Sequence, residues 1–318
     1  MRLLYLGSAD TLADVRDELR EFDVRRAVDD DAVDRELAGA DVILDASMRF
    51  PLTADRLARA TKLKVIVTAT TGADHIDETT LTQRGIPLLT LRGCRDVLNQ
   101  VTPAAEHAWA LLLACARRLP AAARSVCDGA WERADYPGVM LRGRTLGVVG
   151  CGRLGQRVAR YATAFDMSVC GCDPHVRPWP NAIERCELPE LLERSDFVSL
   201  HVPLTDETRT LIDADGFRRI KPGAILINTS RGDVIDEAAL LEALRGGRVA
   251  AAGLDVLTGE PKIAKHPLVA FAREHPQLII TPHIGGNSPD AVRLVLRFSC
   301  RRIREWFGAP ACVTASNS

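Results

Sequence analysis

Leu146-Gly147-Val148-Val149-Gly150-Cys151-Gly152-Arg153-Leu154-Gly155-Gln156-Arg157-Val158-Ala159-Arg160-Tyr161-Ala162 decides how the chain is read. Leu146–Val149 reads as a buried strand, Gln156–Ala162 as a helix, and three glycines in G-x-G-x-x-G spacing join them. The first glycine permits a sharp turn, the second lets backbone approach a pyrophosphate, and the third lets helix and strand pack closely. Amide groups at the helix N-terminus would then meet the phosphates. Gly150, Gly152, Arg153, Leu154 and Gly155 are therefore candidate cofactor-binding residues. The next apolar run, Met167–Cys172, ends at Asp173, where a carboxylate can accept bonds from ribose hydroxyls, as in NAD sites. A 2′-phosphate facing Asp173 would set like charges about 4 Å apart, worth about 4 kcal/mol at an effective dielectric near 20 and less after hydration. The expected cofactor is NAD rather than NADP.

Short apolar runs alternate with helical patterns on both sides of this segment. Before it come Leu3–Gly7, a helix near Asp10–Phe22, Val42–Asp45, Ala54–Ala60, Lys64–Thr68 and Pro87–Thr90. A long, largely buried helix is expected from Pro103 to Leu119, followed by a polar stretch around Cys127–Arg144. The later runs are Phe197–Leu200, Ala224–Asn228, Val249–Asp255 and Leu278–Thr281, and a last helical pattern covers Pro289–Phe307. Alternation of this kind predicts parallel strands joined by crossover helices. At 318 residues, two packed units are expected. The fold class is α/β with two doubly wound parallel-sheet domains, a flavodoxin-like one and a Rossmann one.

Composition narrows the partners. With 41 basic and 42 acidic side chains the net charge is −1, so no global field draws the chain to nucleic acid or an anionic membrane. Apolar runs fall short of the ~20 residues needed to span a bilayer, and the N-terminus is unlike a signal peptide. A cytoplasmic protein with a small-molecule partner is expected. The nine cysteines lack paired zinc spacing; most of them read as buried, reduced thiols, and no metal is expected.

A nicotinamide enzyme acting on an alcohol needs a base for the hydroxyl proton, and an acid substrate needs a cation to orient it. Arg231 follows the run Ala224–Asn228, Glu260 lies just past Gly253-Leu254-Asp255-Val256, and His283 follows Leu278–Thr281. All three sit just after strands of the second sheet, on the edge where α/β proteins bind ligands.

With these residues in place, the chain resembles the D-isomer-specific 2-hydroxyacid dehydrogenases, a group that includes D-3-phosphoglycerate, D-lactate and glyoxylate/hydroxypyruvate enzymes. The matching segments are Thr71–Asp77, Ala105-Glu106-His107, Gly147–Gly155, His201–Thr208, Asn228–Gly232, Gly253–Pro261 and Thr281–Gly286. The resemblance implies that His283 is the acid/base, Glu260 holds and polarises its imidazole, and Arg231 binds the substrate carboxylate and carbonyl oxygen. It also implies cofactor contacts from His201, Val202, Pro203, Thr208, Thr229, Ser230 and Gly285, with Asp255 holding the nicotinamide carboxamide. Backbone N–H groups of Thr71, Gly72 and Ala73 would bind the substrate carboxylate. His75 and His107 read as structural.

The chain departs from the family pattern after the second apolar strand. Asp45-Ala46-Ser47-Met48-Arg49 puts Ala46 where an arginine is common, and Leu91–Gln100 is longer than usual. Ser47, Arg49, Arg92 and Arg95 are thus candidate substrate-binding residues, and the arginines could serve a phosphate- or phosphonate-bearing acid. Formate dehydrogenases carry glutamine at the position of Glu260. The resemblance also implies a substrate domain of residues 1–100 plus 287–318, an NAD domain of residues 101–286, an active site in the cleft between them, no added regulatory domain, and a homodimer. Two other readings keep this fold: an oxidoreductase acting on phosphite or a hydroxyalkylphosphonate, and a non-catalytic NAD(H)-sensing protein.

Overall fold

The computed structural model describes residues 1–308; Cys312 and the last part of the expected 287–318 segment lie outside the described residues. The chain divides into two compact units, Met1–Val101 with the segment from Ser288 onward, and Thr102–Asn287.

The first unit holds a five-stranded sheet built from β1 (Arg2–Leu6), β2 (Asp23–Arg26), β3 (Val42–Asp45), β4 (Val65–Thr68) and β5 (Leu88–Leu89). All its pairings are parallel, in the order β2-β1-β3-β4-β5, the flavodoxin-like arrangement. Central strands β3 and β4 are buried at every residue, because helices cover both faces of a parallel sheet. Strand β2 is not visible as an apolar run: it is an edge strand, Asp-Val-Arg-Arg, in which Val24 alone is buried. The last helical pattern forms a helix, Pro289–Trp306, in this unit. Its Val295, Leu296, Cys300 and Ile303 pack with Leu3, Val15, Leu19 and Val42. Arg304 bonds the carbonyl of Glu18 and Arg293 the carboxylate of Asp14.

The second unit holds a seven-stranded parallel sheet. Its strands are β6 (Thr145–Val149), β7 (Ser168–Cys172), β8 (Glu184–Arg185), β9 (Phe197–Leu200), β10 (Ala224–Asn228), β11 (Val249–Leu254) and β12 (Leu278–Ile280). They run β12-β11-β10-β9-β6-β7-β8, so strand order reverses between β6 and β9, the switch point at which doubly wound sheets bind ligands. Strand β8 is two exposed polar residues at the edge, which no apolar pattern announces.

The expected helix from Pro103 to Leu119 is present, and a second helix follows it directly. The first, Pro103–Arg117, stops where Arg118 turns left-handed at φ 51°; the second, Leu119–Cys127, starts on Pro120. A proline is welcome in the first turn of a helix. The first helix lies close on β11 because that strand is Val-Ala-Ala-Ala-Gly-Leu. A Cβ at Gly253 would stand 3.0 Å from Leu111 Cβ and 3.3 Å from Cys115 Sγ.

The C-terminal helix supplies one wall of the first unit's core, so truncating a side chain there should cost about as much as truncating one on a central strand. Leu296, 1% exposed, is expected to lose about 2–5 kcal/mol of stability in Leu296→Ala, read as a lower urea midpoint of the full chain. A midpoint equal to wild type would show that this helix is not part of the core.

Candidate functional site

The glycine loop leaves β6 at the switch point. Gly150 has φ +90°, and a Cβ there would fall 2.6 Å from the carbonyl oxygen of His201, so a side chain is excluded by both strain and space. At Gly155 a Cβ would meet the Gly150 oxygen at 2.1 Å, which is the close helix–strand packing expected of the third glycine. Gly152 faces no protein atom within 4 Å of its missing Cβ and makes no side-chain cap to the helix Arg153–Ala164. Such a cradle fits a dinucleotide pyrophosphate: open at the middle glycine, closed at the outer two.

Asp173 stands at the end of β7 as the spacing requires, and the structure gives it a second task. Its Oδ2 accepts from the Cys151 amide at 2.9 Å, and its Oδ1 from the amides of His175 and Val176 at 2.8 and 3.0 Å. The carboxylate that would face a ribose therefore also ties the glycine loop to the β7 exit. Cys151 lies wholly buried beneath it, and burial pushes its thiol up to about 12, which keeps it protonated and unreactive at neutral pH.

His201 follows β9. Its Nε2 pairs with Ser199 Oγ at 2.9 Å, and burial holds its imidazole down at about 4, so it is neutral at pH 7. Thr208 shapes the loop beyond it, donating to the carbonyl of Pro203 at 2.6 Å and accepting from the Thr205 amide at 2.8 Å.

Arg231, Glu260 and His283 come from the ends of β10, β11 and β12, three adjacent strands. The Arg231 turn is shaped by Asn228, fully buried, whose Nδ2 donates to the Arg231 carbonyl at 2.9 Å and whose Oδ1 accepts from Ser230 N and Oγ. Gly232 then lies flat against the chain that leads to Glu260: a Cβ there would fall 2.1 Å from Thr258 N. Glu260 Oε1 meets His283 Nδ1 at 2.6 Å. A carboxylate only accepts, so Nδ1 carries a proton and Nε2 is the nitrogen left to exchange one.

His283 has φ +52°, a strained backbone for a residue with a side chain, and Asp255 holds it there. The Asp255 carbonyl accepts from His283 N at 2.9 Å. Its carboxylate, 1% exposed, accepts from Thr281 Oγ1 at 2.6 Å, Ile284 N at 2.9 Å and Gly285 N at 2.7 Å. His107 joins this network, with Nε2 at 2.9 Å from Thr281 Oγ1 and 3.3 Å from Asp255 Oδ1. His107, expected to be structural, is held in this network by side chains of the fold, whereas Asn228, inside the matching Asn228–Gly232 segment, was not singled out from the sequence. Among the described residues no group of His, Cys, Asp and Glu is arranged to hold a metal ion, and no helix is long and apolar enough to cross a membrane.

In the first unit the other candidates gather on one sheet edge. Ser47 and Arg49 follow β3, Thr71–Ala73 follow β4, and Arg92 and Arg95 follow β5, three neighbouring strands. Asp45, fully buried, links the first two segments: Oδ1 accepts from the amides of Ser47 and Met48, and Oδ2 meets His75 Nε2 at 2.7 Å. Arg49, Arg92 and Arg95 are exposed, with Arg49 lying over the Phe50 ring.

Residues 109–285 match the model of the D-isomer specific 2-hydroxyacid dehydrogenase NAD binding domain, and residues 4–128 match that of the family's catalytic domain. The chain belongs to the D-isomer-specific 2-hydroxyacid dehydrogenase family. It is 42% identical over 241 residues to a D-3-phosphoglycerate dehydrogenase of Mycobacterium tuberculosis, a match covering 75% of this chain and 44% of that protein. The chain thus spans less than half the length of that relative. A hydroxypyruvate reductase of Thermotoga maritima is 38% identical over 244 residues, covering 77% of this chain and 78% of that one. Among solved structures, the TT0316 protein of Thermus thermophilus superposes with a TM-score of 0.85 at 36% identity, covering 98% of both chains.

The depressed His201 makes a pH window within this family member. Unfolded histidine titrates near 6.5, the folded ring at about 4, so the unfolded chain takes up the proton first. Stability is therefore expected to fall as pH drops from about 6.5 through 4, by at most about 3 kcal/mol from this ring. His201→Asn should have a shallower decline of Tm between pH 6.5 and 4.5 than wild type. Equal slopes would assign the acid sensitivity elsewhere.

Proposed function

We propose that this protein is an NAD-dependent oxidoreductase that moves a hydride between nicotinamide and C2 of a small 2-hydroxy or 2-keto acid. The observation that carries this reading is the His283 Nδ1–Glu260 Oε1 pair at 2.6 Å on strand ends adjacent to that of Arg231. A hydroxypyruvate reductase that this chain matches over 78% of its length supports the same substrate class.

NAD, when bound, accepts or supplies the hydride at nicotinamide C4. The chain's residues do the rest. Gly150, Gly152 and Gly155 with the helix N-terminus hold the pyrophosphate, and Asp173 binds the adenosine ribose. In the reducing direction His283 Nε2 donates a proton to the carbonyl oxygen as C2 receives the hydride; in the oxidising direction the same nitrogen takes the hydroxyl proton. Glu260 keeps the opposite ring nitrogen protonated and stabilises the positive ring that forms on oxidation. Arg231 pairs with the substrate carboxylate and with the oxygen on which negative charge develops. In the first unit, Ser47 and the Thr71–Ala73 amides offer donors to an anion, with Arg49, Arg92 and Arg95 available to a phosphorylated acid.

His283→Ala is expected to bind NADH as wild type does while kcat for keto-acid reduction falls about 10²–10⁴-fold, measured by NADH fluorescence titration and steady-state kinetics. Unchanged turnover would refute the assignment.

We also propose a homodimer formed through the second unit. Leu119, Val126, Trp131 and Met140 are 52%, 50%, 89% and 72% exposed, and a hollow of about 400 Å³ in the same unit is lined by Ala114, Arg118, Ala121, Asp135, Tyr136 and Pro137. Large exposed apolar and aromatic side chains such as Trp131 and Met140 are enriched at interfaces. Sedimentation at micromolar concentration should give a dimer, and Trp131→Asp with Met140→Asp should give a monomer. A wild-type monomer would overturn the proposal.

A further inference from the structure

We infer that Glu237 is a positioning residue for the acid/base pair: with His266 it staples both ends of the loop that carries Glu260. The inference rests on the dehydrogenase reading for its catalytic consequence, and on hydrogen-bond geometry for the staple itself.

The loop leaves β11 at Asp255 and ends at His266, which caps the helix Pro267–Ala272. Thr258, Gly259, Pro261, Lys262, Ala264 and Lys265 are all exposed. Its internal hydrogen bonds are short-range turns, from Glu260 N to Leu257 O, Lys262 N to Gly259 O, Ile263 N to Pro261 O and His266 N to Ile263 O. Turns of that range shape a segment but do not fix its place on the sheet. Glu237 does. It is the first residue of the helix Glu237–Arg245, where a carboxylate is favoured by the helix N-terminus, and its side chain is 14% exposed. Oε1 accepts from the Thr258 amide at 2.9 Å, and Oε2 meets His266 Nε2 at 3.0 Å.

The His266 ring has its polarity set by the helix it caps. Nδ1 accepts from the Leu268 amide at 3.3 Å, so the ring proton sits on Nε2 and is donated to Glu237. Both oxygens of one carboxylate are thus committed, one to each end of the Thr258–His266 span with Glu260 inside it. Asp233 adds a longer contact to Thr258 Oγ1 at 3.4 Å. Gly232, next to Arg231, lets the loop backbone seat without a side chain between.

The staple matters because Glu260 must reach His283 from an exposed loop. A side chain displaced by about 1 Å can cost on the order of 10²-fold in rate. In Glu237→Ala the Thr258 amide and the His266 ring both lose their acceptor, and Glu260 loses its fixed origin while the glycine loop and Asp173 are untouched.

The test compares Glu237→Ala, Glu260→Ala and the double variant with hydroxypyruvate and NADH. Glu237→Ala should lower kcat about 10–100-fold, leave KM for hydroxypyruvate within about threefold, and leave NADH affinity unchanged. In the Glu260→Ala background the same substitution should change kcat by less than about twofold, since a device that acts through Glu260 is silent once Glu260 is gone. An unchanged kcat in the single variant, or an equal further loss in the double variant, overturns the inference. Hydrogen–deuterium exchange tests the staple without turnover. Amides of residues 257–266 should exchange at least about tenfold faster in Glu237→Ala, with the β9 and β10 amides unchanged. Unchanged loop exchange overturns the staple. Faster loop exchange in a protein that reduces no 2-keto acid upholds the staple and overturns the dehydrogenase reading.

Discussion

A buried carboxylate organises the chemistry of this protein. Asp255 ends β11 with its side chain closed off from solvent, and it accepts from Thr281, Ile284 and Gly285 while its carbonyl accepts from His283. Burying a charge without partners costs several kcal/mol, so a carboxylate in this position demands that the donors around it stay where they are. That demand holds His283 in a left-handed backbone conformation it would otherwise leave. The resemblance to the family suggested that Asp255 serves the nicotinamide carboxamide; its bonds within the chain show that it builds the turn on which His283 stands.

The same arrangement appears elsewhere. Asn228 shapes the Arg231 turn from below, Asp173 ties the glycine loop to β7, and Asp45 joins two loops of the first unit. Each lies at the C-terminal end of a parallel strand. Parallel sheets covered on both faces leave that edge as the place where backbone donors are unclaimed by the ladder. A short acidic or amide side chain there can gather several amides at once, turning loose strand exits into defined turns. Sites built this way are held by the sheet, which is why half-buried Glu260 and exposed His283 can still meet at hydrogen-bond distance.

Much of the fold could be read from the chain. Strands β6, β9, β10 and β11 are continuous apolar runs because they are buried on both faces, and the glycine loop lies where its spacing put it. Edge strands β2 and β8 escaped, since an edge strand buries little and carries no apolar run. The helix Leu119–Cys127 escaped for a different reason: none of its residues is buried, so the core imposes no apolar pattern on it. The site divided in the same way. Arg231, Glu260 and His283 were legible because each follows an apolar run, whereas Asn228, the last residue of such a run, gives no local sign that it shapes the Arg231 turn.

Local pattern by itself determined the alternation of strands and helices, the turn at Gly150 and the acceptor at Asp173, because these depend on residues a few positions apart: steric freedom, apolar periodicity and the acid at a strand end. Tertiary structure decided what pairs with what. Glu260 and His283 are 23 residues apart in the chain, His107 and Thr281 are 174 apart, and Glu237 reaches forward 21 residues to Thr258 and 29 to His266. Contacts over such separations follow from the order in which strands enter the sheet, which the chain's local chemistry does not encode.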